Sequence, residues 1–247
     1  MQIKGWVRTS LIDYPGKIAA VLFTSGCNFR CPYCQNSELV LHPEGLPEID
    51  PAEIFKLLTR RRGLIDGVVI TGGEPTLQKG LDDFLRKVKE LGPSTLRQGS
   101  GQAALRTGLA AKLDTNGYHP QILRDLLEQR LLDYVAMDIK APLAKYPLAA
   151  GVPVDVQRIE ESVRQILASG IDHEFRTTVV PGIVAPEDVE EMARLIAGAG
   201  KYILQQFRPQ GTLAPRFREI APYPAQTLLE MAQAAERWIG EVEVRGL

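Results

Sequence analysis

Apolar stretches of strand length alternate with stretches of helical periodicity along nearly the whole chain, and this alternation restricts the possible folds more than any other feature. The first strand-like run is Ile18-Ala19-Ala20-Val21-Leu22-Phe23-Thr24, and its successors begin near Gly67, Leu109, Tyr134, Glu174 and Tyr202. Between them apolar residues recur at i, i+3 and i+4: Ile54, Leu57 and Leu58; Ile122, Leu123, Leu126 and Leu127; Ile159, Val163, Ile166 and Leu167; Val189, Met192, Leu195 and Ile196. Six strands separated by helices imply a parallel sheet with helical crossovers, either open and doubly wound or curled into a full or partial barrel. Strand order alone does not choose between these.

Several boundaries can be read directly. Asp50-Pro51-Ala52-Glu53 supplies an N-cap, a proline at the first helical position and an acid at the third, so a helix starts there. Residues 1–17 precede the repeat, and Tyr14-Pro15-Gly16-Lys17 reads as a tight turn into the first core strand, which predicts a short N-terminal hairpin extension. Leu228, Met231, Ala235 and Trp238 mark a last helix, followed by a short closing strand at Val242-Glu243-Val244. One stretch breaks the rhythm. Pro93–Gly108, rich in Gly, Ser and Gln, has no apolar face and is expected to be an irregular insertion at the N-terminal edge of the strands. The whole of residues 1–247 is expected to form a single domain.

Composition narrows the partners. With 29 Lys and Arg against 30 Asp and Glu the net charge is -1, so no overall positive field attracts nucleic acid or an anionic membrane. The longest apolar run, Ile18–Phe23, is far short of the roughly 20 residues that span a bilayer. The start, Met1-Gln2-Ile3-Lys4-Gly5-Trp6, lacks the apolar segment of a secretory signal, which makes a cytoplasmic location the expectation.

All three cysteines lie in one octet, Cys27-Asn28-Phe29-Arg30-Cys31-Pro32-Tyr33-Cys34, directly after the first strand of the repeat. An odd number of clustered thiols with no distant partner argues against a disulfide and for a metal. Three thiolates can hold three corners of a 4Fe-4S cubane and leave one iron without a protein ligand. A zinc site completed by His42, C-x3-C-x2-C-x7-H, is the alternative, although zinc sites more often join two separated pairs. A second strand ends in Val68-Val69-Ile70-Thr71-Gly72-Gly73-Glu74-Pro75, where adjacent glycines allow close backbone approach and Glu74 offers a carboxylate to an ammonium. Two further strand ends are polar: Leu113-Asp114-Thr115-Asn116-Gly117 and Met137-Asp138-Ile139-Lys140.

The octet and the Gly-Gly-Glu-Pro strand end together resemble the radical S-adenosylmethionine (SAM) superfamily, and the later strand ends resemble its glycyl-radical-enzyme activase branch. The resemblance implies a partial (β/α)6 barrel, with Cys27, Cys31 and Cys34 as ligands of a 4Fe-4S cluster and His42, His119 and His173 as non-ligands. It implies SAM contacts at Gly72, Gly73 and Glu74 for the methionine amino group, at Asp114, Thr115, Asp138 and Lys140 for the carboxylate and ribose, at Arg176, and at Tyr33 beside the adenine. It also implies that Asp114 and Asp138 can hold a monovalent cation. The reaction implied is reductive cleavage of SAM to a 5'-deoxyadenosyl radical that takes hydrogen from a glycine of a partner enzyme.

Within that branch Ser10–Lys17, Val135–Pro142, Phe175–Gly182 and Gln205–Pro209 are most similar to the activating proteins of anaerobic ribonucleoside-triphosphate reductase. That reductase is then the implied partner, with a small electron-donor protein such as flavodoxin or ferredoxin as the source of reducing equivalents. Two positions depart from relatives. Gln35 stands where many have His, and Gln206-Phe207 stands where the pyruvate formate-lyase activases carry a ribose-contacting His. The alternative within the superfamily is an enzyme acting on a small molecule, as 7-carboxy-7-deazaguanine synthase does; the alternative outside it is a zinc-stabilised binding module.

Overall fold

The computed structural model describes residues 1–91 and 108–247. In chain order the strands are β1 (Ile3–Ser10), β2 (Ala19–Thr24), β3 (Gly67–Gly72), β4 (Ala110–Thr115), β5 (Tyr134–Asp138), β6 (Asp172–Val179), β7 (Tyr202–Gln206) and β8 (Val242–Arg245). The helices are α1 (Ser37–Leu41), α2 (Pro51–Arg60), α3 (Leu81–Glu90), α4 (Pro120–Glu128), α5 (Tyr146–Ala150), α6 (Val156–Ala168), α7 (Asp188–Leu195) and α8 (Ala225–Ala235). One sheet runs β1-β2-β3-β4-β5-β6-β7-β8. β1 is antiparallel to β2, and every later pair is parallel.

The expected six-stranded repeat is therefore β2 to β7, the hairpin extension is β1 with β2, and the closing strand is β8. Among the described residues β8 does not pair back onto β1, so the sheet is open, a partial barrel. β6 starts at Asp172, two residues before the expected Glu174, because His173 and Asp172 already pair with β5. Asp50 caps α2 as its sequence predicts, its carboxylate accepting from the Ala52 N–H at 2.8 Å. The expected insertion lies, at residues 93–107, outside the described residues. Its flanks, Leu91 after α3 and Gly108 before β4, are at the N-terminal edge of the strands.

Strand alternation sends one set of side chains outward and the other inward. Leu22, Ile70, Leu113, Val135, Phe175 and Leu204 point outward and join Ile54, Leu85, Leu126, Ile159 and Met192 of the helices in the main core. Ala19, Val21, Val69, Ala110, Tyr134 and Ala136 point inward and form a smaller cluster with Tyr14. Parallel register then sets the upper rim: Thr24 lies beside Gly72, and Asp138 beside Arg176. No helix among the described residues is long and apolar enough to cross a membrane.

Candidate active site

The loop after β2 carries the three thiols to the C-terminal edge of the sheet, where parallel α/β folds place their sites. Cys31 is buried, and Cys27 and Cys34 are half-buried. Burial pushes the Cys27 thiol up to about 12, with the nearby Glu74 carboxylate adding to the effect. Burial likewise pushes Cys31 up to about 11, partly offset by Lys140. Without a cation such thiols stay protonated at neutral pH, whereas a bound metal deprotonates a coordinating thiol outright.

The Gly72-Gly73 pair seats this loop. Gly72 has φ +120°, and a Cβ there would lie 2.3 Å from the Thr24 nitrogen. A Cβ at Gly73 would lie 1.8 Å from the Gly26 carbonyl oxygen. The Gly73 N–H donates to the Thr24 carbonyl at 2.9 Å and the Glu74 N–H to the Gly26 carbonyl at 2.8 Å, so β3 and the start of the thiol loop are in backbone contact. The close approach that paired glycines permit is thus already used within the chain.

Glu74 is fully buried. Its Oε1 accepts from the Thr76 N–H at 3.1 Å, the Thr76 hydroxyl at 2.6 Å and the Thr115 hydroxyl at 2.7 Å, and its Oε2 from the Asn116 N–H at 2.7 Å. Burial raises this carboxyl and the donors draw it back. The side chain thereby ties the end of β3 to the end of β4. Thr115 spends its hydroxyl in the same clamp.

Four more expected residues, Asp114, Asp138, Lys140 and Arg176, form an ion network at the ends of β4 and β5 and on β6. Asp138 accepts from Lys140 Nζ at 2.8 Å and from Arg176 Nε at 2.9 Å. Desolvation would raise the Asp138 carboxyl, but these two cations hold it well below the usual range. An Arg176 terminal nitrogen also lies 3.3 Å from Asp114 Oδ2. The guanidinium therefore stands where Asp114 and Asp138 were expected to hold a monovalent cation. Its charge already bridges the two acids, and a cation there is unsupported.

Beneath this layer lies a second one that sequence reasoning missed. Lys112, 2% exposed, is 3.1 Å from Asp114 Oδ1 and 3.6 Å from Glu174 Oε1, and donates to the Asp13 carbonyl at 2.7 Å. Glu174 accepts from the Tyr134 hydroxyl at 3.2 Å, and Arg245 on β8 is 3.8 Å away. The signal was available: interior strands of a parallel sheet are normally apolar on both faces, yet Lys112 and Asp114, and Glu174 and Arg176, stand at i, i+2.

All twelve expected site residues line one cleft of about 310 Å³, together with Asn36, Asn116, Gln206 and Arg208. Two of its buried polar atoms have neither a hydrogen-bond nor an ion-pair partner among the described residues, the Tyr33 hydroxyl and Gln206 Oε1. Buried orphans of this kind call for a ligand or water. The donor set, three thiols at one edge, suits an iron–sulfur cluster. A zinc ion would need His42, whose side chain is 75% exposed and pairs with Glu44 at 3.5 Å. Among the described residues no three Cys, His, Asp or Glu side chains converge on one ion position. A cubane makes a different demand, three separate corners.

Residues 21–196 match the radical SAM superfamily. The chain belongs to that superfamily. Its members use a 4Fe-4S cluster and SAM, and the chain is an enzyme of this class. A protein of Methanocaldococcus jannaschii named "Putative glycyl-radical enzyme activating enzyme" is 33% identical over 98% of this chain and 95% of its own length. Two solved structures share the fold. Streptococcus suis SuiB bound to S-adenosylmethionine superposes with TM-score 0.63 at 13% identity, over 92% of this chain and 52% of SuiB. A domain of the pyruvate-formate lyase-activating enzyme of Bacteroides vulgatus superposes with TM-score 0.55 at 15% identity, over 73% of this chain and 99% of that domain.

Proposed function

We propose that residues 1–247 form one radical SAM domain that activates a glycyl radical enzyme, with an anaerobic ribonucleoside-triphosphate reductase as partner and a small flavodoxin- or ferredoxin-like protein as reductant. The observation that carries this reading is the convergence of Cys27, Cys31, Cys34, Tyr33, Asp138, Lys140 and Arg176 on a single cleft at the C-terminal edge of the sheet. The full-length similarity to a protein named for glycyl-radical enzyme activation supports the branch, and the motifs at Ser10–Lys17 and Val135–Pro142 support the choice of reductase.

A bound, reduced 4Fe-4S cluster would supply the electron for reductive cleavage of SAM, the chemistry by which a hydrogen atom would be taken from the partner's glycine. The chain's own residues place and isolate that chemistry. Cys27, Cys31 and Cys34 would hold the cluster by their sulfurs, with no fourth protein ligand. Lys140 is the cation for the SAM carboxylate, and Asp138, fixed between Lys140 and Arg176, accepts from the ribose hydroxyls. Tyr33 offers its buried ring to the adenine and its unpaired hydroxyl to a polar atom of the ligand. The backbone carbonyls of Gly72 and Gly73 are the acceptors for the amino group, since the buried Glu74 carboxylate already accepts from Thr76, Thr115 and Asn116.

Anaerobically purified protein should contain iron and sulfide at about four each per chain, the stoichiometry of such a cluster. Reduced protein with SAM and the candidate reductase should yield an EPR-visible glycyl radical on the reductase and release 5'-deoxyadenosine. Cleavage of SAM with no radical on any glycine of the reductase would overturn the partner assignment.

A further inference from the structure

Asn116 follows β4 directly, is 6% exposed, and has every polar atom of its side chain committed. Its Oδ1 accepts from the Tyr118 N–H at 3.0 Å, which fixes the amide orientation and turns Nδ2 toward the thiol loop. Nδ2 donates to Asn28 Oδ1 at 2.9 Å and lies 3.8 Å from Cys27 Sγ, within reach of an N–H to sulfur hydrogen bond. The Asn116 backbone N–H donates to Glu74 Oε2 at 2.7 Å. One residue thus presents a donor to each of two neighbouring groups that carry negative charge when ionised, the buried Glu74 carboxylate and the half-buried Cys27 sulfur.

Cys27 Sγ also faces the Phe29 N–H at 3.4 Å, so its sulfur has two N–H groups from other residues within reach, and Asn116 supplies the side-chain one. Hydrogen bonds to cluster sulfurs are among the factors that set reduction potential, because they stabilise the more negative, reduced form. We propose that Asn116 hydrogen-bonds the Cys27 sulfur of the bound cluster and sets the cluster's reduction potential, which makes it a positioning and tuning residue rather than a ligand or a SAM contact. This rests on the cluster assignment above. An amide does not ionise, so the contribution is independent of pH.

The test is an anaerobic redox titration of reconstituted protein, followed by EPR, for the wild type, Asn116→Ala and Asn116→Asp. Both variants keep the backbone donor to Glu74, and Asn116→Asp also keeps an acceptor for Tyr118, so each retains part of the local fold. The expected result is a midpoint potential more negative than wild type in both variants. The shift should be larger for Asp, which replaces the donor with a charge, while iron content and SAM affinity stay near wild type. Midpoints indistinguishable from wild type in two cluster-loaded variants would overturn the proposal. So would folded variants that hold no cluster, since the amide would then serve assembly and not tuning. A wild-type protein that takes up no four-iron cluster would instead defeat the functional reading itself.

Discussion

The outer face of the sheet is buried by apolar helices: Leu22, Ile70, Leu113, Val135, Phe175 and Leu204 meet Leu85, Leu126, Ile159 and Met192 with no charged side chain among them. The inner face is buried too, but its β4–β6 side holds Lys112, Asp114, Asp138, Lys140, Glu174 and Arg176 in contact with one another. These six carry three positive and three negative charges. The two faces therefore tolerate change differently. Apolar packing is lost locally and in proportion to the volume removed, whereas a balanced set of buried charges fails when any one member is removed and leaves another unpaired.

The largest effect expected is from Lys112→Met. It leaves Glu174 and Asp114 short of a cation inside the barrel, and breaking a buried pair in this way costs about 3–5 kcal/mol. Denaturant unfolding should show that loss, and Lys112→Met with Glu174→Gln, which restores neutrality, should recover most of it. A double variant no more stable than the single one would show that the inner face behaves like the outer face after all. On the outer face, Leu85→Ala should destabilise by about 2–5 kcal/mol through the cavity it leaves, with SAM affinity of the folded protein unchanged and no charge substitution able to compensate.

A smaller effect in free energy, but one confined to function, is expected at the rim. Asp138→Ala or Lys140→Ala should weaken SAM binding about ten- to a hundredfold, the equivalent of a charged hydrogen bond of about 1.5–3 kcal/mol. Iron content should stay at the wild-type level, because neither residue touches the thiol loop's sulfurs by hydrogen bond. Calorimetric titration of SAM into loaded protein gives the answer, and equal affinities would return both residues to a purely structural role.

The smallest expected effect is a pH dependence. Lys140 and Arg176 hold the Asp138 carboxyl well below its ordinary value despite the desolvation that opposes them. A depressed carboxyl contributes stability in full above the unfolded value of about 3.9 and loses it as pH falls toward the folded value. Stability should therefore fall more steeply below about pH 4 in the wild type than in Asp138→Asn. Parallel acid-unfolding curves would show that the ion network does not couple to folding.

Much of this site was legible in the sequence because strand ends in a parallel repeat all face one edge. Cys27–Cys34, Gly72–Pro75, Asp114–Gly117 and Asp138–Lys140 each lie at or just past the C-terminal end of a strand, so counting strands places them together. The i, i+2 spacing of Lys112 with Asp114 and of Glu174 with Arg176 marks a polar inner face, but the linear sequence does not reveal which neighbours share that layer. Glu74 reads as a free carboxylate in sequence. Its burial depends on Thr115 and Asn116, which are 41 and 42 residues away. The expected cation between Asp114 and Asp138 gave way for the same reason, since Arg176 comes from a third strand.

The sequence by itself determined the β/α repeat, the hairpin and closing strand at its ends, the helix start at Asp50 and the thiol octet at a strand terminus. These follow from periodicity, capping and local spacing, which act over a few residues. Only the tertiary structure decided that the sheet stays open, that Gly72 and Gly73 serve the packing of the thiol loop, that Glu74 is a clamp, and that Arg176 bridges the two acids. Each of those outcomes depends on which strands lie side by side and on which charges and carbonyls meet in a space that water has left. Coulombic and hydrogen-bond energies in that space depend on distance through space and on burial, and neither is written in the order of the residues.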